Sequence, residues 1–484
     1  MPSISDLQYA SILPDGLPLS LVGVVATVVI GIIYSVLAKE RPLAGFPWPS
    51  SKAKTITEAL AKYSGPFQVM TGTGPKIVLP NRFADEIRNN PSLNFQKAFL
   101  KDFFTEYEGD NMIQETVRVK LTQSLGLVTD DLVDETTASL RDIYGESPEW
   151  TTAVLKDGVT DLVARLASRV FLGQDVCRNE RWLQIAKTYT VDSFIAAYLM
   201  RLAPTLLRPL VYWFVPQGRS IRQAVRDARQ IIGPEVARRI AAVDGARAAG
   251  RKPPKTADSL GWMYEVARGR AVDYPASQLS LTMAAIHTTT ETTSQAMLDI
   301  CEHPDVAQQL REEIIQVIGE HGWSKNSVTK LRLMDSFLKE SSRVHPLNLT
   351  SMNRYVDQEV GSRIMVAANF ADAAAYPSPA TFDAARFLRR RQEPRQEHAW
   401  QFVTTNPQHL HFGHGEHACP GRFFAAHLDK VALCHLLLKY DWRFVPGPDG
   451  RFPAPDHFET GFSGSRTGQV QFRRRREEIE LDLE

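Results

Sequence analysis

The residues best able to do chemistry cluster near the C-terminus. His411 to Arg422 reads HFGHGEHACPGR, and from Phe423 to Tyr440 apolar side chains recur at helical spacing. Cys419 therefore stands just before a helix N-terminus, where unpaired N–H groups and the helix dipole favour negative charge. A thiolate is stabilised there, and the thiolate is the form of cysteine that binds metal. Gly415 and Gly421 allow the backbone to turn with positive φ or to pass close to a flat cofactor, and Pro420 suits the start of the helix. His409, His411, His414 and His417 surround the cysteine in sequence, so zinc is one reading of the cluster. Against it, a closed zinc site has no use for Phe412 or the paired glycines, and no second cysteine lies nearby. A small buried cysteine capping a helix is the plainest alternative.

A second unusual stretch lies upstream. Ala276 to Glu302 runs without proline or glycine between Pro275 and Pro304, which predicts one helix of roughly 40 Å. Its middle, Met283 to Gln295, reads MAAIHTTTETTSQ. Threonines suit a helix poorly, because the β-branch costs rotamer freedom and the hydroxyl competes for backbone partners. Such a local conflict marks a place where function can outweigh helix stability. Hydroxyls bonded back to the preceding turn are the bland explanation. Further on, Glu340 and Arg343 lie three apart and share a helix face, by itself a common pair of small energetic weight.

Taken in order, these segments resemble the cytochrome P450 superfamily. Phe412-x-x-Gly415-x-His417-x-Cys419-x-Gly421 is similar to the family's haem-binding loop, with histidine where most members carry an arginine for a haem propionate. Lys339-Glu340-Ser341-Ser342-Arg343 resembles the ExxR motif, and the segment Phe382 to Phe387 resembles the one whose arginine, here Arg386, completes a salt-bridged triad. Ala284 to Thr289, AAIHTT, resembles the oxygen-activating groove.

The resemblance implies a mainly α fold with a minor β-sheet region. It implies Cys419 as the axial ligand of haem b (iron protoporphyrin IX), with His417, Phe412, Gly415 and Gly421 in the cofactor-binding loop, and Glu340, Arg343 and Arg386 as a structural triad. Thr288 is the implied proton-relaying hydroxyl. His287 replaces the usual acid before it, so His287 or Glu291, one turn on, is the ionisable partner. The implied reaction is monooxygenation: one atom of O₂ enters an apolar small molecule. No flavin or Rossmann fingerprint occurs in the chain, so electrons from NADPH are expected through a separate NADPH–cytochrome P450 reductase, with cytochrome b5 a candidate second donor. Ala399 to Val403 and His411 to Tyr440 look most like fungal biosynthetic members of the ent-kaurene-oxidase-like type, which favours a terpenoid or meroterpenoid over a polyketide or alkaloid. A haem-thiolate isomerase or dehydratase, and a haem-binding relic, are the remaining readings. The chain passes from Val356 to Gly361 in fewer residues than relatives use, so either a hairpin near the implied pocket is trimmed or the gene model omits a piece of it.

The rest of the chain must position these groups. Its 484 residues are 43% hydrophobic and 23% charged, an ordinary globular composition able to bury a large core. A net charge of +1 from 56 basic and 55 acidic residues gives no global field toward nucleic acid or an acidic polymer. Four scattered cysteines without a CxxC pair suit a reducing compartment. Leu19 to Ala38 is uncharged over about the span of a bilayer core, and Lys39, Arg41, Lys52 and Lys54 follow it. A single-pass anchor in the endoplasmic reticulum membrane, contacting lipid and leaving the remainder in the cytosol, is expected. The expected organisation is a lumenal segment 1–18, an anchor 19–38, a basic and proline-rich hinge 39–50, and one catalytic domain 51–484. Thr151 to Leu172 and Ser220 to Val243 read as helix, Lys76 to Leu79 and Arg363 to Ala367 as strands, and Ala246 to Lys255 as an exposed loop. Asn94 to Tyr107 and Phe194 to Leu199 are candidate pocket segments.

Overall fold

The threonine-rich helix, Tyr274–Glu302, packs against the helices Leu155–Leu172, Glu180–Leu202, Pro216–Ala248, Arg332–Val344 and Arg422–Lys439, and so runs through the body of the protein. It starts two residues earlier than the sequence suggests. The Asp273 side chain accepts from Ala276 N at 3.1 Å and caps it, leaving Pro275 in the first turn, where a missing N–H costs nothing. The computed structural model describes residues 45–47, 55–103, 111–203, 207–254, 256–357, 362–368, 370–447, 450, 452–458 and 460–483. The expected anchor, most of the hinge and residues 104–107 of the first pocket segment lie outside these. Among the described residues no helix is long and apolar enough to cross a membrane.

The main core is formed by the facing sides of these helices, with Leu162, Leu166, Ile286, Met297, Phe337, Leu433 and Leu437 all removed from solvent. Each such side chain contributes roughly 1.5–3 kcal/mol by burial. Among the described residues, three small sheets flank the helices. The largest joins β1 (Phe67–Thr71), β2 (Gly74–Leu79), β3 (Leu93–Asn94), β5 (Thr350–Val356) and β6 (Arg363–Ala367) in the order β1-β2-β6-β5-β3. β6 is buried along its whole length, from Arg363 through the apolar run Ile364 to Ala367, and pairs in parallel with β2. Mainly α with minor β is therefore the architecture, as expected.

Three boundaries differ from the sequence reading. Thr151–Val154 is a strand, β4, and the helix begins only at Leu155. Its β-branched residues pair with β10 (Gln469–Arg474), whose other edge holds β7 (Tyr440–Phe444). For the same reason Tyr440 leaves the preceding helix, which ends at Lys439, and opens β7 opposite Arg474. The helix Pro216–Ala248 also runs into the expected loop, which is shorter than its composition implies. The third sheet is a hairpin of β8 (Asp456–Phe458) and β9 (Gly461–Ser463).

The connection after Val356 serves an antiparallel pair, since β5 meets β6 through Tyr355 opposite Arg363; residues 358–361 lie outside the described set. The register slips between Ser351 and Arg354, and Met352 takes φ +53° there. A bulge of this kind re-aims the following side chain. Here it turns Arg354 inward, leaving it only 2% exposed.

Candidate active site

The cysteine loop is closed by a hydrogen bond from Cys419 N to Phe412 O at 2.8 Å. Gly413 and Gly415 take φ of +72° and +81°, and a Cβ on Gly415 would lie 2.6 Å from Arg88 Cβ and 2.7 Å from Asn89 Oδ1. Gly415→Ala is expected to lower stability by about 1–3 kcal/mol, seen as a lower thermal midpoint. Gly421 serves a different need. Its φ is −86°, and a Cβ there would meet Val117 Cγ1 at 3.7 Å and Cys419 Sγ at 4.0 Å, so small size beside the sulfur matters and positive φ does not. Pro420 precedes the Gly421 cap and is not inside the helix, which starts at Arg422.

Burial pushes the Cys419 thiol up, while the N–H groups of Gly421 and Arg422 and the Arg422 charge pull it down. By accessible surface the same residue is exposed. A side chain surrounded by protein yet reached by solvent has both properties. The histidines near it go to separate partners. His409 lies 3.3 Å from Ser342 Oγ, His411 packs edge-on against Phe412, His414 meets Asp85 at 3.0 Å, and His417 stacks on Phe95 at 5.4 Å between ring centroids. Among the described residues no cluster of His, Cys, Asp and Glu is placed to hold a metal ion, so the zinc reading has no ligand set there.

Sequence reasoning missed Arg354. Its Nη1 donates to Asn353 O at 2.9 Å, while Nη2 is buried without a hydrogen-bond partner among the described residues. Its guanidinium lies 5.6 Å from the centroid of Phe95, the ring on which His417 stacks. His417 is pushed below its usual value by burial and by the positive fields of Arg354 and Arg118, with Glu416 opposing. An orphaned guanidinium N–H beside a neutral imidazole and a second arginine suits a carboxylate-bearing group. An arginine between the apolar residues of a buried strand was the available signal.

On the threonine helix, Ala284 and Thr288 are exposed although their neighbours Ile286, Thr289 and Thr290 are buried. The hydroxyls of Thr288, Thr292 and Thr293 donate to the carbonyls of Ala284, Thr288 and Thr289 at 2.8, 3.1 and 3.0 Å, the back-bonding that offsets their poor helix propensity. His287 Nε2 lies 3.0 Å from Lys187 O, so the proton sits on Nε2 and Nδ1 is left as acceptor; burial holds the ring below its usual value, hence neutral. Glu291 pairs with Lys156 and accepts from Ser463 Oγ at 3.0 Å and Gly464 N at 2.6 Å.

Thr293 joins this helix to the one that follows Cys419, its Oγ1 2.7 Å from Asp429 Oδ1. One hydroxyl proton cannot serve both Asp429 and Thr289 O; a protonated Asp429 donating to Thr293 satisfies all three groups. Burial, opposed by the Thr293 bond, pushes Asp429 up to about 7 from 3.8. A pKa raised by folding means the native state keeps a proton that the unfolded chain has lost. The stability from this group is full below about pH 4 and is lost as pH rises toward about 7. Asp429→Asn is expected to flatten that decline and to raise stability above about pH 7 by a few kcal/mol, measured by urea denaturation at about pH 5 and pH 8.

Glu340 is wholly buried between two arginines. Arg343 Nε and Nη2 donate to its two oxygens at 2.8 Å each, Arg386 Nε lies 3.1 Å from both, and Asp383 N donates at 3.0 Å. The spare arginine N–H groups reach the carbonyls of Phe370, Pro379 and Thr381 at 2.9, 2.8 and 2.8 Å. The structure brings together all three residues that the sequence placed in one cluster.

A family model described as Cytochrome P450 matches residues 152–464, a span that contains the threonine helix, the Glu340 cluster and the cysteine loop. The chain belongs to the cytochrome P450 family. This P450 is 38% identical to cytochrome P450 monooxygenase bsc2 of Alternaria brassicicola, over 92% of each chain. It is 41% identical to monooxygenase bsc11 of the same fungus, over 88% of this chain and 87% of that one. It is 40% identical to cytochrome P450 monooxygenase 1 of Gibberella fujikuroi, over 86% of this chain and 99% of that one. The P450 is accordingly a monooxygenase with fungal relatives, and its family's cofactor is a haem-thiolate group. The residues present fit such a group: a thiol reached by solvent, a glycine beside the sulfur, and a buried guanidinium with a free donor.

Proposed function

We propose that this P450 inserts one atom of O₂ into an apolar terpenoid or meroterpenoid, with Cys419 as the axial thiolate of haem b. The observation that carries the reading is that two reactive groups, Cys419 and Thr288, are both exposed on elements tied together through Thr293 and Asp429. When bound, the haem activates O₂ and supplies the oxidising power. The protein's own residues do the rest. The N–H groups of Gly421 and Arg422 hold negative charge on Cys419, and Phe412 O fixes the Cys419 backbone. Arg354 and Arg118 would supply positive charge for the cofactor's carboxylates, and His417 would add a neutral donor. Thr288 would turn its hydroxyl from Ala284 O to relay a proton supplied by water, with His287, whose Nδ1 can take up and give back a proton, as the ionisable partner.

An apolar substrate suits Phe95, Phe99, Phe194, Ile195 and Tyr198, large exposed side chains on two segments that pack together. The absence of a flavin fingerprint supports a separate NADPH–cytochrome P450 reductase, with cytochrome b5 as a second donor. Location at the endoplasmic reticulum membrane is supported by the 19–38 segment and by exposed Leu210, Trp213 and Phe214, with Arg222 lying 4.3 Å over the Trp213 ring.

Co-expression with the reductase under isotopically labelled O₂, compared with an empty vector, is expected to give a terpenoid product carrying one labelled oxygen. A product formed without O₂ would overturn the reaction, and an oxidised polyketide or alkaloid would overturn the substrate class. Thr288→Ala is expected to raise peroxide released per NADPH by about tenfold or more. Unchanged coupling would remove Thr288 from the proton route.

A further inference from the structure

The carboxylate of Glu291 accepts from three donors that belong to two other parts of the chain. Lys156, the second residue of the helix Leu155–Leu172, pairs with Oε1; Ser463 Oγ donates to the same oxygen at 3.0 Å, and Gly464 N donates to Oε2 at 2.6 Å. Lys156 Nζ also donates to Ser463 Oγ at 2.6 Å and to Gly464 O at 3.2 Å, closing a ring of contacts. The Lys156 and Glu291 side chains are only 15% and 14% exposed, which shields the pair from the screening that weakens surface ion pairs. A Cβ on Gly464 would stand 3.1 Å from Glu291 Oε2, so the backbone there runs tight against the carboxylate.

Ser463 ends β9, and the other side of this hairpin is also fixed. Phe462 N donates to Leu347 O at 2.9 Å, Leu349 N to Thr460 O at 2.8 Å, and Thr350 Oγ1 to Thr460 Oγ1 at 3.3 Å. Ser351, next in β5, has its Oγ 3.9 Å from where a Gly413 Cβ would stand. The β8–β9 hairpin therefore bridges from the threonine helix, one turn past Thr288, to the strand beside the cysteine loop.

We propose that Glu291 is a positioning residue, a latch with Lys156 that fixes the β8–β9 hairpin between the threonine helix and β5 and thereby shapes the space in which substrate meets Thr288. The proposal rests on the haem-thiolate reading, because that reading makes this space the reaction space. Three donors from two other elements hold this carboxylate in place, and its role is to hold position. Lys156 and Ser463 share the function and stand far from Glu291 in sequence.

The test uses the full-length ferric holoenzyme and its Glu291→Ala, Lys156→Met and double variants. Two nitrogen ligands are titrated by visible spectroscopy: imidazole, small enough to reach the iron whatever the pocket shape, and clotrimazole, whose bulk must fit the pocket. Glu291→Ala and Lys156→Met are each expected to weaken clotrimazole about tenfold while leaving imidazole within about twofold, and the double variant should match the singles. Trypsin cleavage after the exposed Arg466, just past the hairpin, should accelerate about tenfold in both single variants, a readout that needs no haem. Clotrimazole affinity and cleavage unchanged in Lys156→Met would overturn the latch, and this variant decides the matter if Glu291→Ala fails to fold. A shifted pH profile of peroxide release in Glu291→Ala alone would overturn it in favour of proton transfer. Faster cleavage in a protein that shows no thiolate-ligated haem spectrum would uphold the latch and overturn the haem-thiolate reading.

Discussion

Cys419→Ser is expected to leave the fold in place and abolish oxygenation. The side chain loses its sulfur but keeps its size, and neither the hydrogen bond from residue 419 N to Phe412 O nor the N–H groups of Gly421 and Arg422 depend on it. What is lost is a ligand able to carry full negative charge at neutral pH and push electron density toward iron. NADPH- and O₂-dependent product formation should fall at least ~10³-fold, equivalent to roughly 4 kcal/mol of barrier. Circular dichroism and the thermal midpoint of the haem-free chain should stay close to those of the parent. Product formation at a similar rate would mean that the oxidising centre lies elsewhere.

Glu340→Gln should act in the opposite way, through the fold. The amide keeps the shape but removes the charge that two buried arginines share, and it offers one oxygen where two accept from Arg343 and Arg386. Removing one partner of a buried ionic cluster costs about 3–5 kcal/mol. That is a large fraction of the roughly 5–15 kcal/mol by which domains are stable. The folded, haem-loaded yield should collapse and the urea midpoint should drop. Glu397→Gln, at the exposed Arg332–Glu397 pair, should cost less than about 1 kcal/mol and serves as the control.

What could be read from the sequence follows from how local the determining interactions are. Cys419 and its glycines, the threonine run, and Glu340 with Arg343 each sit in a short segment whose residue types state their own requirement. Arg386 was added only by its resemblance to a known segment, and the structure supplies the contact. Arg354 stayed hidden because its inward aim depends on the bulge at Met352, a tertiary property of the β5–β6 pairing. Thr151–Val154 passed for helix because β10, which makes it a strand, lies near the far end of the chain. Glu291 looked like a free acid one turn from Thr288 for the same reason, since Lys156, Ser463 and Gly464 are distant in sequence.

These particulars bear on the two doubts raised by the sequence. Whatever the length of the segment after Val356, β5 and β6 are paired and β6 is buried, so the sheet beside the cysteine loop is formed. His287 is neutral and bonded to Lys187 O, which leaves the helix ordered around Thr288 and one ring nitrogen available.

The central claim, that Cys419 holds haem iron as a thiolate, is tested most directly by the reduced carbon-monoxide difference spectrum of the full-length wild-type protein. The account predicts the strongly red-shifted Soret band that thiolate ligation alone produces, with Cys419→Ser lacking it. A wild-type spectrum with the unshifted band of a nitrogen- or thiol-ligated haem, or with no haem at all, would contradict it.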